Sequence, residues 1–232
     1  MNFLFSGVGE ALQRIIQLDA DLLSALVTTV KVSFASTAIA SILSLPLGFL
    51  LARHEFHGKH LVLATLKTAL AFPTVVVALF VYAFLANQGP LGRLHLLFTP
   101  AAIIIGQVLL VVPLIIALVH SVLQSCIGTI HEEARLLGAS PVDAFLKTLV
   151  EARLGILTAL MTGFGRVASE IGVSLILGGN IRGYTRTMTT AISLETNQGN
   201  FPQAVALGIL LLFIVLLINL GIQIGGRQRG TV

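Results

Sequence analysis

Arg166 and Glu170 stand four residues apart in an otherwise apolar stretch. That spacing brings both to one helix face, where the pair can neutralise itself. Ionisable side chains at bilayer depth face a bundle interior or a water-filled path. The pair therefore reads as a polar element of a pathway or its gate, or as a strut between helices. A second concentration of charge lies between Gly128 and Gly155. There Glu132, Glu133, Arg135, Asp143, Lys147, Glu151 and Arg153 place 7 of the chain's 24 charged residues in 28 positions. Such a stretch belongs in water or against another protein, because each charge in lipid costs several kcal/mol. His54, His57 and His60 recur at three-residue spacing, a pattern that suits a weak metal site. No further ligand accompanies them, and no metal is expected. There is no His-Glu-x-x-His, no Gly-x-Ser-x-Gly and no aspartate inside an apolar segment. The chain thus carries no catalytic set, which excludes an intramembrane enzyme. Cys126 is the one cysteine, so no intrachain disulfide forms.

The rest of the chain must position these groups in a membrane. It is 56% hydrophobic and 10% charged, with a mean hydropathy of +0.97, whereas soluble domains carry about 25% charged residues. A bilayer core of about 30 Å takes about 20 helical residues. Five segments qualify: about 24–52, 61–86, 100–123, 156–177 and 203–224. The expected fold is all-α, an integral membrane bundle of five transmembrane helices forming one domain over 1–232. Pro46, Pro73 and Pro113 fall within these segments. Each removes a helical hydrogen bond and kinks its helix, which fits bent helices around a cavity as well as ordinary packing kinks. Residues 10–18 space Leu12, Ile15 and Ile16 helically and predict a short interfacial helix. Met1–Glu10 lacks the basic and uninterrupted apolar regions of a secretory signal.

Basic residues set the orientation. Seven (Arg53, Lys59, Arg135, Lys147, Arg153, Arg227 and Arg229) fall on one side, against four (Arg14, Arg93, Arg182 and Arg186) on the other. This places the 128–155 loop in the cytoplasm between spans three and four, with the N-terminus outside and the C-terminus cytoplasmic. The net charge of +4 follows from membrane-edge residues and implies no nucleic-acid partner. Within the loop, the pattern predicts a helix over about 130–137 that ends at Gly138. A second helix is capped by Ser140, with Pro141 at its first position and Asp143 in its first turn.

HEEARLLGAS, residues 131–140, resembles the cytoplasmic loop motif of the membrane subunits of ATP-binding-cassette importers: Glu-Ala-Ala, three residues, then Gly. Glu132, Glu133 and Ala134 fill the first three places and Gly138 falls at the glycine. Glu133 departs from the motif's alanine, and Val150 and Glu151 stand where a downstream Leu-Pro is expected. The place of the motif is similar to that in the small five-span core of type I importer permeases. The resemblance implies that this short helix docks in a groove of a separate ATPase subunit, whose ATP-driven closure rocks the spans between inward-open and outward-open states. It also implies a homodimer, an extracytoplasmic oxyanion-binding protein, surrounding membrane lipid, and a bacterial or archaeal cytoplasmic membrane. No Walker-type phosphate loop occurs in the chain. The chain is therefore not expected to be an enzyme or to carry a cofactor, ATP and Mg belonging to the partner.

From Gly163 to Gly199 the chain is similar to permeases for tungstate and molybdate, and best to the tungstate-type branch. The matching pieces are Gly165-Arg166, Glu170-x-Gly172, the run Gly178 to Gly183 (GGNIRG), Met188 to Ile192 (MTTAI) and Leu194 to Thr196 (LET). The resemblance implies tungstate as substrate, with molybdate or sulfate as alternatives. Asn180, Arg182, Arg186, Thr189 and Thr190 would then offer hydrogen-bond donors and positive potential to a dianion, or meet the binding protein without touching the ion. Gly163, Gly165 and Gly172 are expected to let helices approach closely. An ion-coupled secondary carrier fits less well, since only Glu170 is an acid within a span and no repeat is visible.

Overall fold

The computed structural model describes residues 20–127 and 132–228; the predicted interfacial helix at 10–18 lies outside them. Among the described residues there are ten α-helices and no strand. They are α1 Ala20–Arg53, α2 Lys59–Ala69, α3 Thr74–Leu85, α4 Pro100–Cys126, α5 Glu132–Leu136, α6 Pro141–Glu151, α7 Arg153–Ala168, α8 Gly172–Gly178, α9 Met188–Asn197 and α10 Phe201–Gln228. Helices α1, α4 and α10 are each long and apolar enough to cross a membrane, and up to five spans result if each of two bent pairs counts as one.

The bent pairs revise the sequence reading. Segment 61–86 is not one helix but α2 and α3, bent by 97° at the break, and segment 156–177 is α7 and α8, bent by 55°. Pro73 explains the first break. It lies outside both helices, at the N-cap of α3, where the first amides have no intrahelical partner in any case. Pro46 and Pro113 do sit inside α1 and α4. Ser44, two residues from Pro46, donates to the carbonyl of Val112 at 3.3 Å, next to Pro113.

The described residues group into two compact units, one of 20–36, 73–108 and 165–218, the other of 37–72, 109–164 and 219–228. Helices α1, α4, α7 and α10 contribute to both. In the first unit, Leu22 and Ala25 of α1 pack with Met188 and Ala191 of α9 and Leu207 of α10. Helices α4 and α8 cross closely there. A Cβ on Gly106 would lie 2.5 Å from Leu177 Cδ1, and one on Gly178 2.7 Å from Ile103 Cδ1. A buried polar ladder fixes the register of three helices. The Ser36 hydroxyl lies 2.8 Å from Gln107 Oε1, and Gln107 Nε2 donates to the Val167 carbonyl at 3.3 Å. Such interhelical bonds contribute about 1 kcal/mol each in apolar surroundings.

In the second unit, Phe49 of α1 meets Phe145 of α6 edge to face, with ring centroids 4.5 Å apart. Gly163 lets α7 approach α4, since its Cβ would fall 2.9 Å from Ile115 Cδ1. Gly172, in the first unit, is similarly confined by Thr74 Oγ1 at 3.0 Å. Gly165 departs from expectation: a Cβ there would meet nothing within 4 Å.

Candidate functional site

Helix α7 ends just past Arg166, and the chain turns through Ser169–Ile171 before α8 begins. Arg166 and Glu170 do form an ion pair, Nη1 to Oε2 at 2.7 Å, but Glu170 lies in the break rather than on the helix. The Glu170 side chain is only 4% exposed, against 41% for Arg166. Its Oε1 accepts the amide of Val173 at 3.4 Å, in the first turn of α8, where an amide without an intrahelical partner and the positive helix end favour a carboxylate. The Glu170 carbonyl accepts the hydroxyls of Thr189 at 3.0 Å and Ser174 at 3.1 Å. One buried acid thus closes the break from both its side chain and its backbone.

The start of α9 is closed in the same way. Thr187 caps it: its hydroxyl accepts from the Thr190 amide at 3.3 Å, and the Thr190 hydroxyl accepts from the Thr187 amide at 2.9 Å. This is a capping box with threonine in the place usually held by Glu or Gln. Thr29 of α1 accepts the Met188 amide at 2.8 Å. In the preceding loop, Arg182 donates through Nε to Asp21 Oδ1 at 2.6 Å, and its Nη2 pairs with Asp21 Oδ2. Arg186 Nε donates to Asn180 Oδ1 at 3.1 Å. Asn180, at φ 52°, adopts the left-handed conformation that asparagine tolerates. The structure therefore brings Asn180, Arg182, Arg186, Thr189 and Thr190 onto one loop and helix start, with each side chain engaged by another protein group. The two threonines are buried.

The charged segment folds as two short helices, as its pattern predicts. Ser140 caps α6: its hydroxyl accepts from the Asp143 amide at 3.1 Å and donates to Asp143 Oδ2 at 2.6 Å, with Pro141 at the first turn. Gly138, at φ +88°, ends α5. The Gly138 amide donates to the Arg135 carbonyl at 3.1 Å and the Ala139 amide to the Ala134 carbonyl at 3.0 Å, the pair of bonds that defines a Schellman turn. Arg135 Nη1 locks it by donating to the Ala139 carbonyl at 2.7 Å. What this turn displays is apolar. Leu136 and Leu137 are 86% and 89% exposed, and Val142, Leu146 and Val150 recur along the exposed side of α6. Glu133 is also exposed and Ala134 half-buried, while the described structure of Glu132 is its backbone at the start of α5.

Elsewhere the structure is less eventful. His54, His57 and His60 are exposed, and among the described residues no three metal-ligating side chains converge. Lys59 is buried and paired with Glu55, Nζ to Oε1 at 2.6 Å. That hydrogen bond holds the Glu55 carboxyl below its ordinary value of 4.5. Sequence reasoning passed over Gln107, Thr29 and the exposed leucines. The signals were present: a glutamine inside an apolar run, and two leucines directly before a helix-ending glycine in a charged stretch.

Apolar helices, two broken spans and a charged turn describe a multi-pass helical membrane protein. The chain matches the family described as "binding-protein-dependent transport system inner membrane component" over residues 44–226, and it belongs to that family. It is 39% identical to a probable anion ABC transporter permease protein of Haloferax volcanii, covering 90% of this chain and 93% of that one. It is 37% identical to the tungstate uptake system permease protein TupB of Campylobacter jejuni, covering 94% and 92%. Against the molybdenum transport system permease protein ModB of Azotobacter vinelandii, identity is 27%, covering 78% and 84%. Its fold is similar to that of a chain of the MetNI methionine ABC transporter in inward-facing conformations, with a TM-score of 0.69, 20% identity, and coverage of 91% and 95%.

Proposed function

We propose that this chain is the permease of an importer for tetrahedral oxyanions, with tungstate as its substrate, and that the turn at Gly138 docks a separate ATPase. The observation that carries the coupling role is the pair of exposed leucines on a turn made rigid by its own hydrogen bonds. A contiguous exposed apolar patch beside charges marks a protein or membrane contact. Leu136 and Leu137 fill the ATPase groove, Glu133 and Arg135 make rim contacts, Glu132 begins the same coupling helix, Ala134 backs it, and Gly138 sets the turn. ATP and Mg are held by the ATPase, and this chain contributes no cofactor.

The excess of basic residues on its side supports a cytoplasmic position for the turn and the C-terminus, with the N-terminus outside. One turn per chain and a pair of ATPases imply two copies of the chain in the complex. An extracytoplasmic binding protein delivers the ion near Asn180, Arg182 and Arg186. Arg166 and Glu170 act as a strut that holds the break between α7 and α8, and so shape the path without ligating the ion. Thr189 and Thr190 serve the same framework.

Higher identity to the tungstate permease than to the molybdenum permease supports tungstate. Molybdate and sulfate share the charge and shape, so the binding protein sets the choice among them. The test is uptake in proteoliposomes holding this chain and its ATPase, with the binding protein outside, for each of the three dianions. ATP-dependent tungstate accumulation, reduced by excess molybdate more than by sulfate, supports the reading. Sulfate taken up in preference, or no ATP-dependent uptake of any dianion, contradicts it.

A further inference from the structure

The first unit holds two cavities on different faces of the start of α1, and they differ in charge. One, of about 150 Å³, is lined by Asp21 and Glu195 together with Arg186, Asn200 and Gln203. Two carboxylates there oppose a dianion. The other, of about 590 Å³, is lined by Ser24, Thr28 and Lys31 of α1, by Pro100 at the start of α4, and by Gly183 and Tyr184 of the 179–187 loop. No carboxylate lines it. Ser24, Thr28 and Lys31 recur at spacings of four and three and so share one helix face. Among the described residues, none of the side chains of Ser24, Thr28, Lys31 and Tyr184 makes a hydrogen bond or ion pair. This contrasts with Thr29 and Ser36 on the buried side of the same helix, both bonded within the fold.

Lys31 is exposed and lies seven residues inside the span expected at about 24–52, about 10 Å along its axis at 1.5 Å per residue. A cation at that depth with no counter-charge needs water or an anion beside it. The cavity has room for both, since a water takes about 30 Å³. We propose that this cavity is a waypoint for the transported oxyanion, with Lys31 supplying the charge and Ser24, Thr28 and Tyr184 the hydroxyl donors. A single lysine with mobile donors suits a path, because a point charge on a flexible stem attracts a dianion without the fixed bidentate grip of an arginine. The inference rests on the oxyanion reading above.

The test compares wild type, Lys31→Gln, Lys31→Arg and Tyr184→Phe in the assembled complex, measuring tungstate uptake, basal ATPase activity and retained anionic lipid by native mass spectrometry. Lys31→Gln is expected to lower uptake about tenfold or more at unchanged basal ATPase activity, Lys31→Arg to retain most of it, and Tyr184→Phe to lose about threefold. Uptake by Lys31→Gln equal to wild type overturns the waypoint. Loss of a tightly held anionic lipid with unchanged uptake also overturns it and assigns the site to a lipid phosphate. Should Lys31→Gln fail to assemble, Tyr184→Phe decides the matter: unchanged uptake overturns the proposal. A wild-type complex that imports no oxyanion fails the functional reading itself, and this inference with it.

Discussion

The junction around Glu170, with the start of α9 bonded to it, and the turn around Gly138 are built from the same parts: helix ends, a glycine, and side chains that cap the following helix. They treat those parts in opposite ways. At the junction every helix start finds a partner inside the protein. Glu170 caps α8, Thr187 and Thr190 cap each other, and Thr29 reaches across from α1 to hold the Met188 amide. At the turn, Arg135 and the backbone tie only the turn itself, and the apolar side chains are turned outward. Polar groups that close on one another define a framework, because a buried donor left without a partner costs about 1–3 kcal/mol. Apolar groups held rigidly in the open define a surface for something else.

That contrast is easiest to break at the turn. Replacing Leu136 and Leu137 together by glutamate places charge where the account puts a desolvated contact. A contact of this kind is worth roughly 2–4 kcal/mol, so the ATPase should no longer co-purify, while the variant's melting temperature in detergent stays at the wild-type value. A lowered melting temperature with the ATPase still bound would make the leucines part of the framework instead. At the junction the expectation reverses. Glu170→Ala leaves Arg166 and the Val173 amide without their partner and should cost about 2–3 kcal/mol of stability, read as a lower melting temperature, with ATPase binding preserved.

Two smaller changes sharpen the same division. Gly138→Ala forces a side chain into the left-handed region at a cost of about 1–2 kcal/mol, although open space surrounds the site. Its effect should appear as weaker ATPase binding, measured by titration, rather than as a lost fold. Thr29→Val removes the acceptor of the Met188 amide and should lower stability by about 1 kcal/mol, visible in the melt alone.

Much of this was legible in the residues. The α1, α4 and α10 segments are long apolar runs, which α1 and α4 continue through Pro46 and Pro113, and the Ser140-Pro141 start of α6 and the Gly138 end of α5 follow from local backbone chemistry. The breaks were harder to read. Pro73 in an apolar run reads equally as a kink within one helix or as the start of a new one, and only tertiary contacts decide. The same holds for Ser169–Ile171, where apolar residues on either side disguise two helices as one. The loop threonines illustrate a second limit. A hydroxyl available to an ion and a hydroxyl that caps a helix have the same sequence signature, and the capping box of Thr187 and Thr190 lacks the Glu or Gln that usually announces it. The reverse error concerns Leu136 and Leu137, whose exposure runs against their hydrophobicity and becomes meaningful only once the turn is seen to be rigid.

The most direct measurement is ATP-dependent tungstate uptake by proteoliposomes containing the ATPase, supplied with the binding protein, comparing wild type with Gly138→Pro. Proline cannot adopt the positive φ of this site and removes the amide that donates to the Arg135 carbonyl. The account predicts that wild type accumulates tungstate and that the variant, inserted in the membrane to the same level, does not. Equal uptake by the two would contradict coupling through this turn.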